Sequence, residues 1–374
     1  MEYQHGGDVY SHMVQLDYSA NLNPLGMPER VRKKVMEGVG SQACVRYPDS
    51  QCRSLRSAIG RHLGIQDSWI ICGNGAADLI FGLAAAIKPR RVLIPAPAFA
   101  EYQQAVEAFG GTVDHIGLLE HSMELPVSLM CRQIWKAFQE GKPYDMVFFC
   151  NPNNPTGLPV PREEGRQLAE ACGKWGAFLV ADECFCDFLD RPEDFSLIPD
   201  LYRFPHLFIL KAFTKMYSMA GLRLGYGLSG NGPLLEKLCQ VRQPWSVSGL
   251  AQLAGEAALE ETDFEEQTRK TVKGERWFLS NELKKMGFFV YPSQANYLFF
   301  KDPWEKGPWE REDEKKGRLY KVLLEQGILI RSCANYQGLD PSYYRICVKL
   351  RPDNERLIEA VRAFREENIC HNPL

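Results

Sequence analysis

DMVFFCNPNNPTG at residues 145–157, AFLVADE at 177–183 and HLFILKAFTK at 206–215 share one form: a short apolar run that stops at polar or turn-forming residues. Runs of that length, bounded in that way, predict strands. The residues left at their ends include Asn154, Asp182 and Lys215, side chains able to do chemistry. Outward from these, SWIICG (68–73) and RRVLIPAP (90–97) repeat the form. Between the runs lie AADLIFGLAAAIK (76–88), AEYQQAVEAFG (100–110) and EEGRQLAEACGKWG (163–176), which predict helices, the last two ending in glycine where a C-cap would sit. Strands joined by crossovers of this length imply a mostly parallel sheet in an α/β fold.

Past Gln243-Pro244-Trp245 the rhythm changes. One long helix is expected over about residues 249–286, followed by FFVYPSQANYLFF (288–300) and ILIRSC (328–333) as strands of an α+β unit. The expected organisation is a large domain over 45–245, with 1–44 and 246–374 forming a smaller α+β domain and an N-terminal arm. The charged block at 302–318 reads as a solvated loop and a helix start.

A chain of 374 residues, 45% of them hydrophobic, is long enough for a large core and a second, smaller one. The formal net charge of -3 provides no global field for nucleic acid or an anionic membrane, so an anionic ligand must be held locally. The start, MEYQHGGDVY, lacks the basic and apolar stretches of a leader, and no apolar run approaches the ~20 residues of a membrane span. The expectation is a cytoplasmic protein with no membrane or nucleic-acid partner. Its twelve cysteines then read as reduced, buried thiols. Cys184 and Cys186, two apart in an apparent strand, form no CxxC motif, and no metal site is expected.

The ordered set Asn154-Pro155-Thr156-Gly157, Asp182, Lys215, Arg223 carries the chemistry. Singly, each has a structural explanation: a turn, a helix cap, a solvated lysine or arginine. Together they meet the needs of an aldehyde cofactor built on a phosphorylated pyridine. A lysine amine must lose its proton to condense with the aldehyde, and a carboxylate must keep the ring nitrogen protonated so that the ring accepts electrons. Lys215 and Asp182 fit those roles. A phosphate handle needs backbone N–H groups at a helix start, a hydroxyl and a fixed cation. Gly73-Asn74-Gly75-Ala76-Ala77, opening a helix, provides the first, and Thr214 and Arg223 the others. The same GNGAAD partly mimics a dinucleotide fingerprint but lacks its third glycine, so a Rossmann site is the poorer reading.

With these residues in this order the chain resembles the fold-type-I enzymes that depend on pyridoxal 5'-phosphate (PLP). It is similar over nearly its whole length to the threonine-phosphate decarboxylase and histidinol-phosphate aminotransferase families. The resemblance implies that Asn154 hydrogen-bonds the cofactor's ring oxygen and that Phe99, in PAPAF, stacks on its pyridine face. Tyr47, in RYPD, falls where the family reaches the cofactor phosphate of a neighbouring subunit, which implies a homodimer with shared active sites. Arg345 falls where the substrate α-carboxylate is bound, Arg331 where related enzymes meet a substrate phosphate, and Asn23, in NLNP, where the chain closes over the substrate.

Which bond breaks on PLP depends on which one stands perpendicular to the ring, and Lys215 would serve a decarboxylase and a transaminase alike. Three segments lie closer to the decarboxylases. These are His5-Gly6-Gly7-Asp8 with LDYSANLNPLGMP, the stretch ILIRSCANYQGLDPSYYRICV (328–348), and DECF, where Phe185 replaces a tyrosine common in the aminotransferases. That replacement removes one hydrogen bond to the ring oxygen. A phosphorylated amino-acid substrate would suit Arg331, with His5 contributing if it orders on binding. The expected activity is decarboxylation of L-threonine O-3-phosphate, with an aminotransferase such as one for histidinol phosphate as the alternative. A regulatory module without turnover is disfavoured, since no helix-turn-helix extension or basic block is present.

Overall fold

The computed structural model describes residues 5–309 and 315–371, residues 367–371 by backbone alone. Its strands, in chain order, are β1 (Leu16–Asp17), β2 (Ile70–Gly73), β3 (Arg91–Ala96), β4 (Thr112–Gly117), β5 (Met146–Cys150), β6 (Phe178–Asp182), β7 (Leu207–Ala212), β8 (Gly225–Leu228), β9 (Phe289–Val290), β10 (Tyr297–Lys301), β11 (Ile328–Leu329), β12 (Arg331–Ser332) and β13 (Tyr343–Cys347).

Seven of these form one sheet in the order β2-β8-β7-β6-β5-β3-β4. Pairing is parallel from β7 through β4, while β8 runs antiparallel to both β2 and β7. The central strands are apolar along their whole length because helices cover both faces: every residue of β5 and β7 is buried. Two strands have no counterpart in the apolar runs. In β4, at the sheet edge, the side chains are only partly covered. In β8 a Cβ on Gly227 would collide with the Phe208 ring, so close packing requires glycine where a strand would ordinarily carry a side chain.

Parallel order places the carboxyl ends of β3, β5, β6 and β7 at one rim, the edge where open α/β sheets bind ligands. Phe99, Asn154, Asp182 and Lys215 all lie at or just past those ends.

The C-terminal part contributes a four-stranded antiparallel sheet, β12-β13-β10-β9, and β1 pairs in parallel with β11. The N-terminal arm is thereby fastened to the C-terminal part: the Cys347 N–H donates to Tyr18 O at 2.8 Å, and the Tyr18 hydroxyl to Asn354 Oδ1 at 3.0 Å.

The single helix expected over about 249–286 is two, Gly249–Ala258 and Phe264–Lys285. The break falls at Leu259-Glu-Glu-Thr-Asp263, where Thr and Asp favour helix starts over interiors, and Glu265 and Glu266 then suit the positive end of the next helix. The charged block at 302–318 lies partly outside the described residues. Asp302 at its start is buried against Arg365 at 2.9 Å, and a helix begins at Arg318. The described cysteines are free thiols. β6 ends at Asp182, so neither Cys184 nor Cys186 lies in a strand, and Cys186 opens a 3-10 turn. Among the described residues no helix is long and apolar enough to cross a membrane, and no His/Cys/Asp/Glu cluster could hold a metal.

Candidate active site

A cavity of about 550 Å³ opens at the carboxyl rim of the large sheet. Eleven of the residues expected to bind cofactor or substrate line it: Ala76, Ala77, Phe99, Asn154, Asp182, Thr214, Lys215, Arg223, Arg331, Arg345 and His5. They come from widely separated parts of the chain, brought together by the two sheets.

Lys215 sits in the short helix Phe213–Met216 directly after β7. The residue is half-buried and lines the cavity. Burial lowers the amine to about 8, with Arg345 and Arg223 pushing the same way and Cys184 and Asp182 opposing. A substantial neutral fraction near physiological pH makes this lysine a usable nucleophile. Its nitrogen lies 5.5 Å from the centre of the Phe185 ring, which in turn packs edge-on against Tyr297 at 5.0 Å.

Asp182 ends β6 and is buried. Its Oδ2 accepts from the Tyr102 hydroxyl at 2.5 Å and its Oδ1 from the Cys184 N–H at 3.0 Å. Desolvation and the adjacent carboxylate push the Tyr102 phenol well above its ordinary value, so it stays a donor. Its ring stacks on Phe148 at 4.8 Å, fixing the hydroxyl's position. Tyr102 escaped sequence reasoning; in AEYQQAVEAFG it reads as one more core aromatic.

Gly75 opens the helix Gly75–Ile87 with φ +79, and a Cβ there would come within 2.6 Å of Arg223 Nη2. A Cβ on Gly225 would meet Ala76 N at 2.6 Å. Two bare backbones therefore let the helix start, β8 and the Arg223 guanidinium converge. The result is a cradle of N–H groups and a cation suited to a phosphate.

Arg345 on β13 is buried; it donates through Nη1 to Asn154 Oδ1 and through Nη2 to Ser19 O at 2.7 Å. Its Nε–H has no hydrogen-bond partner among the described residues. Arg331 on β12 donates to Ser332 O at 2.6 Å and Asn335 Oδ1 at 2.7 Å, and lies over the Tyr336 ring. The two arginines are directly opposed across the strand pair.

Two expected residues stand elsewhere. Asn23 is buried away from the cavity, its amide donating to Met216 O at 2.6 Å and Thr268 Oγ1 at 2.8 Å. It shapes the turn beneath the site, and Asn21, two residues earlier, lines the cavity instead. Tyr47 is 81% exposed and its ring packs at a tilt against Trp245, centroids 4.7 Å apart, outside the cavity of its own chain. His5 does reach the site: its Nδ1 lies 3.2 Å from Glu101 Oε1.

Residues 13–364 match the sequence family of class I and II aminotransferases. The chain belongs to that family. It is 38% identical over 351 residues to a threonine-phosphate decarboxylase of Salmonella typhimurium, covering 93% of this chain and 90% of that protein. It is 32% identical over 348 residues to a histidinol-phosphate aminotransferase of Symbiobacterium thermophilum, covering 92% and 88%. The crystal structure of the histidinol-phosphate aminotransferase from Clostridium acetobutylicum superposes with a TM-score of 0.83 at 29% identity, over 94% of this chain and 99% of that one. As a class I/II aminotransferase-family member the chain is a PLP-dependent enzyme of fold type I. The residues present fit that cofactor: a buried amine of lowered basicity, a buried carboxylate held by a phenol, and a glycine-lined helix start under an arginine meet its aldehyde, pyridine and phosphate in turn.

Proposed function

We propose that the chain converts L-threonine O-3-phosphate into (R)-1-aminopropan-2-yl phosphate and carbon dioxide. The observation that carries this reading is the opposed pair Arg331 and Arg345 in the cavity that also holds Lys215. Two guanidinium groups on one face of a strand pair suit a small ligand with two anionic ends, here a carboxylate and a phosphate.

Lys215, Asp182, Asn154, Phe99, Thr214, Arg223 and the Gly75-Ala76-Ala77 helix start would hold PLP. Bound PLP supplies an electron sink for the pair left when a bond to the amino-bearing carbon breaks. The remaining work falls to this chain's own side chains. Arg345 binds the carboxylate and Arg331 the phosphate, with His5 as a further donor; fixing both ends sets the rotation about the amino-bearing carbon and so decides which bond lies in the reactive position. Lys215 would give a proton to the carbon that loses the carboxylate. Phe99 and Phe185, both lining the cavity, would offer apolar surface beside that carbon.

A second reading is an aminotransferase such as one acting on histidinol phosphate. Lys215 favours it equally, because a lysine in that place can shuttle a proton as readily as deliver one. Phe185 weighs against it: a phenylalanine cannot give the ring oxygen the hydrogen bond a tyrosine would. Turnover in deuterated water separates the two. Decarboxylation leaves one solvent deuteron at the amino-bearing carbon of aminopropanol phosphate in a single configuration and none in the remaining substrate; a keto product with deuterium exchanged into the amino-bearing carbon of the recovered substrate would favour the aminotransferase.

On this reading the enzyme is cytoplasmic, serves cobalamin biosynthesis and acts as a homodimer. The exposed Tyr47–Trp245 pair would then meet the neighbouring subunit, where Tyr47 would reach its cofactor phosphate.

A further inference from the structure

Glu101 lies in the first turn of the helix Ala100–Ala108, two residues past Phe99, and its side chain is 14% exposed. Its Oε1 meets His5 Nδ1 at 3.2 Å, while Oε2 is buried with no hydrogen-bond partner among the described residues. The charged and titratable groups that face it are His5 from the N-terminal segment, Asp182 from β6, Lys215 from the turn after β7 and Arg331 from β12. Burial raises the carboxyl to about 7, with Lys215 and Arg331 pulling down and Asp182 pushing up. Burial and Arg331 lower His5 below its ordinary value. The backbone beside His5 is fixed too: the Gly7 N–H donates to Ser19 Oγ at 2.6 Å, and Gly6 packs so closely on the Ser19 carbonyl that a Cβ has no room.

We propose that Glu101 is a positioning residue for the substrate phosphate, holding the His5 ring at the cavity mouth beside Arg331 so that the ring's other N–H meets a phosphate oxygen. This rests on the phosphorylated amino-acid reading above and adds a residue that neither contacts the reacting carbon nor belongs to the cofactor set. Before an anion binds, burial and Arg331 make a positive charge on His5 costly. A phosphate at Arg331 cancels that cost. His5 can then carry the charge with Glu101 Oε1 beside its Nδ1, leaving carboxylate, imidazolium and phosphate in a row.

The test titrates holoenzyme with L-threonine O-3-phosphate and with L-threonine, reading binding from the cofactor's visible spectrum so that no carbon dioxide release is needed. Glu101→Ala is expected to raise the Kd for the phosphorylated ligand about tenfold and leave L-threonine unchanged. Glu101→Gln, which keeps the shape but cannot carry a negative charge beside His5, shows the same selective loss. His5→Ala matches it, and combining His5→Ala with Glu101→Ala adds less than about twofold. Equal weakening of both ligands, or fully additive losses, overturns the proposal. Selective binding without carbon dioxide release in the unmutated enzyme would instead sink the decarboxylase reading and leave Glu101 in its role.

Discussion

Arg331 and Arg345 stand directly opposite each other on the antiparallel strands β12 and β13, both turned into the cavity. Like charges in that relation cost stability, roughly 0.2–1 kcal/mol in an ordinary sheet. An anionic ligand removes the cost. Arg331→Met is therefore expected to raise KM for the phosphorylated substrate tenfold or more while the Tm of ligand-free protein holds or rises. Steady-state kinetics and a thermal melt check both halves. A fallen Tm with unchanged KM would make Arg331 a structural residue.

In the proposed reaction Lys215 both holds the cofactor and moves a proton. Lys215→Ala should abolish covalent capture of PLP, read by borohydride reduction and peptide mass, and lower kcat by at least about 10²-fold. The lowered amine also has a pH signature. Capture of PLP by the apoenzyme should rise with pH and level off above about 8, where an ordinary lysine would continue to ~10.4. Between those values the folded chain binds fewer protons than the unfolded one, so this group's contribution to stability rises with pH across that window. Below it the full cost of a buried ammonium remains, and Lys215→Met should stabilise the apoenzyme at pH 7.

The Phe185 ring sits beside the Lys215 nitrogen and is held edge-on by Tyr297. Phe185→Tyr restores a hydroxyl at the cavity wall. We expect the ratio of amino-group exchange with 2-oxoglutarate to carbon dioxide release to rise severalfold, measured on one enzyme preparation. An unchanged ratio would remove Phe185 from the choice of reaction.

How much of this could be read from the chain alone follows from what each residue does locally. Asn154, Asp182 and Lys215 were legible because each closes an apolar run, and such ends converge in a parallel sheet. Which asparagine of NLNP turns inward was not. Asn23 is consumed by its own turn, where its Oδ1 accepts from the Leu25 N–H at 2.9 Å and its carbonyl from the Gly26 N–H at 3.0 Å; that leaves Asn21 at the cavity. Tyr102 and Glu101 were hidden for another reason. Their partners, Asp182 and His5, are distant in sequence, and a helical period records which face is covered but not what a polar tip touches there. Strand β8 was missed because its glycines, required by Phe208 and Ala76, look like loop residues.

Gly75 tests the phosphate cradle. Gly75→Ala combines an unfavourable φ of +79 with a Cβ 2.6 Å from Arg223 Nη2, so the arginine must move. The Kd for PLP should rise at least about tenfold with little change in KM measured at saturating cofactor. An unaltered Kd would place the phosphate elsewhere.

The most direct test of the proposed reaction is to supply PLP-loaded enzyme with L-threonine O-3-phosphate, without any keto acid, and to follow carbon dioxide together with aminopropanol phosphate. Sustained release of the two in equal amounts over many turnovers is the expected result. No release, with histidinol phosphate exchanging its amino group under the same conditions, would contradict the decarboxylase and leave the aminotransferase.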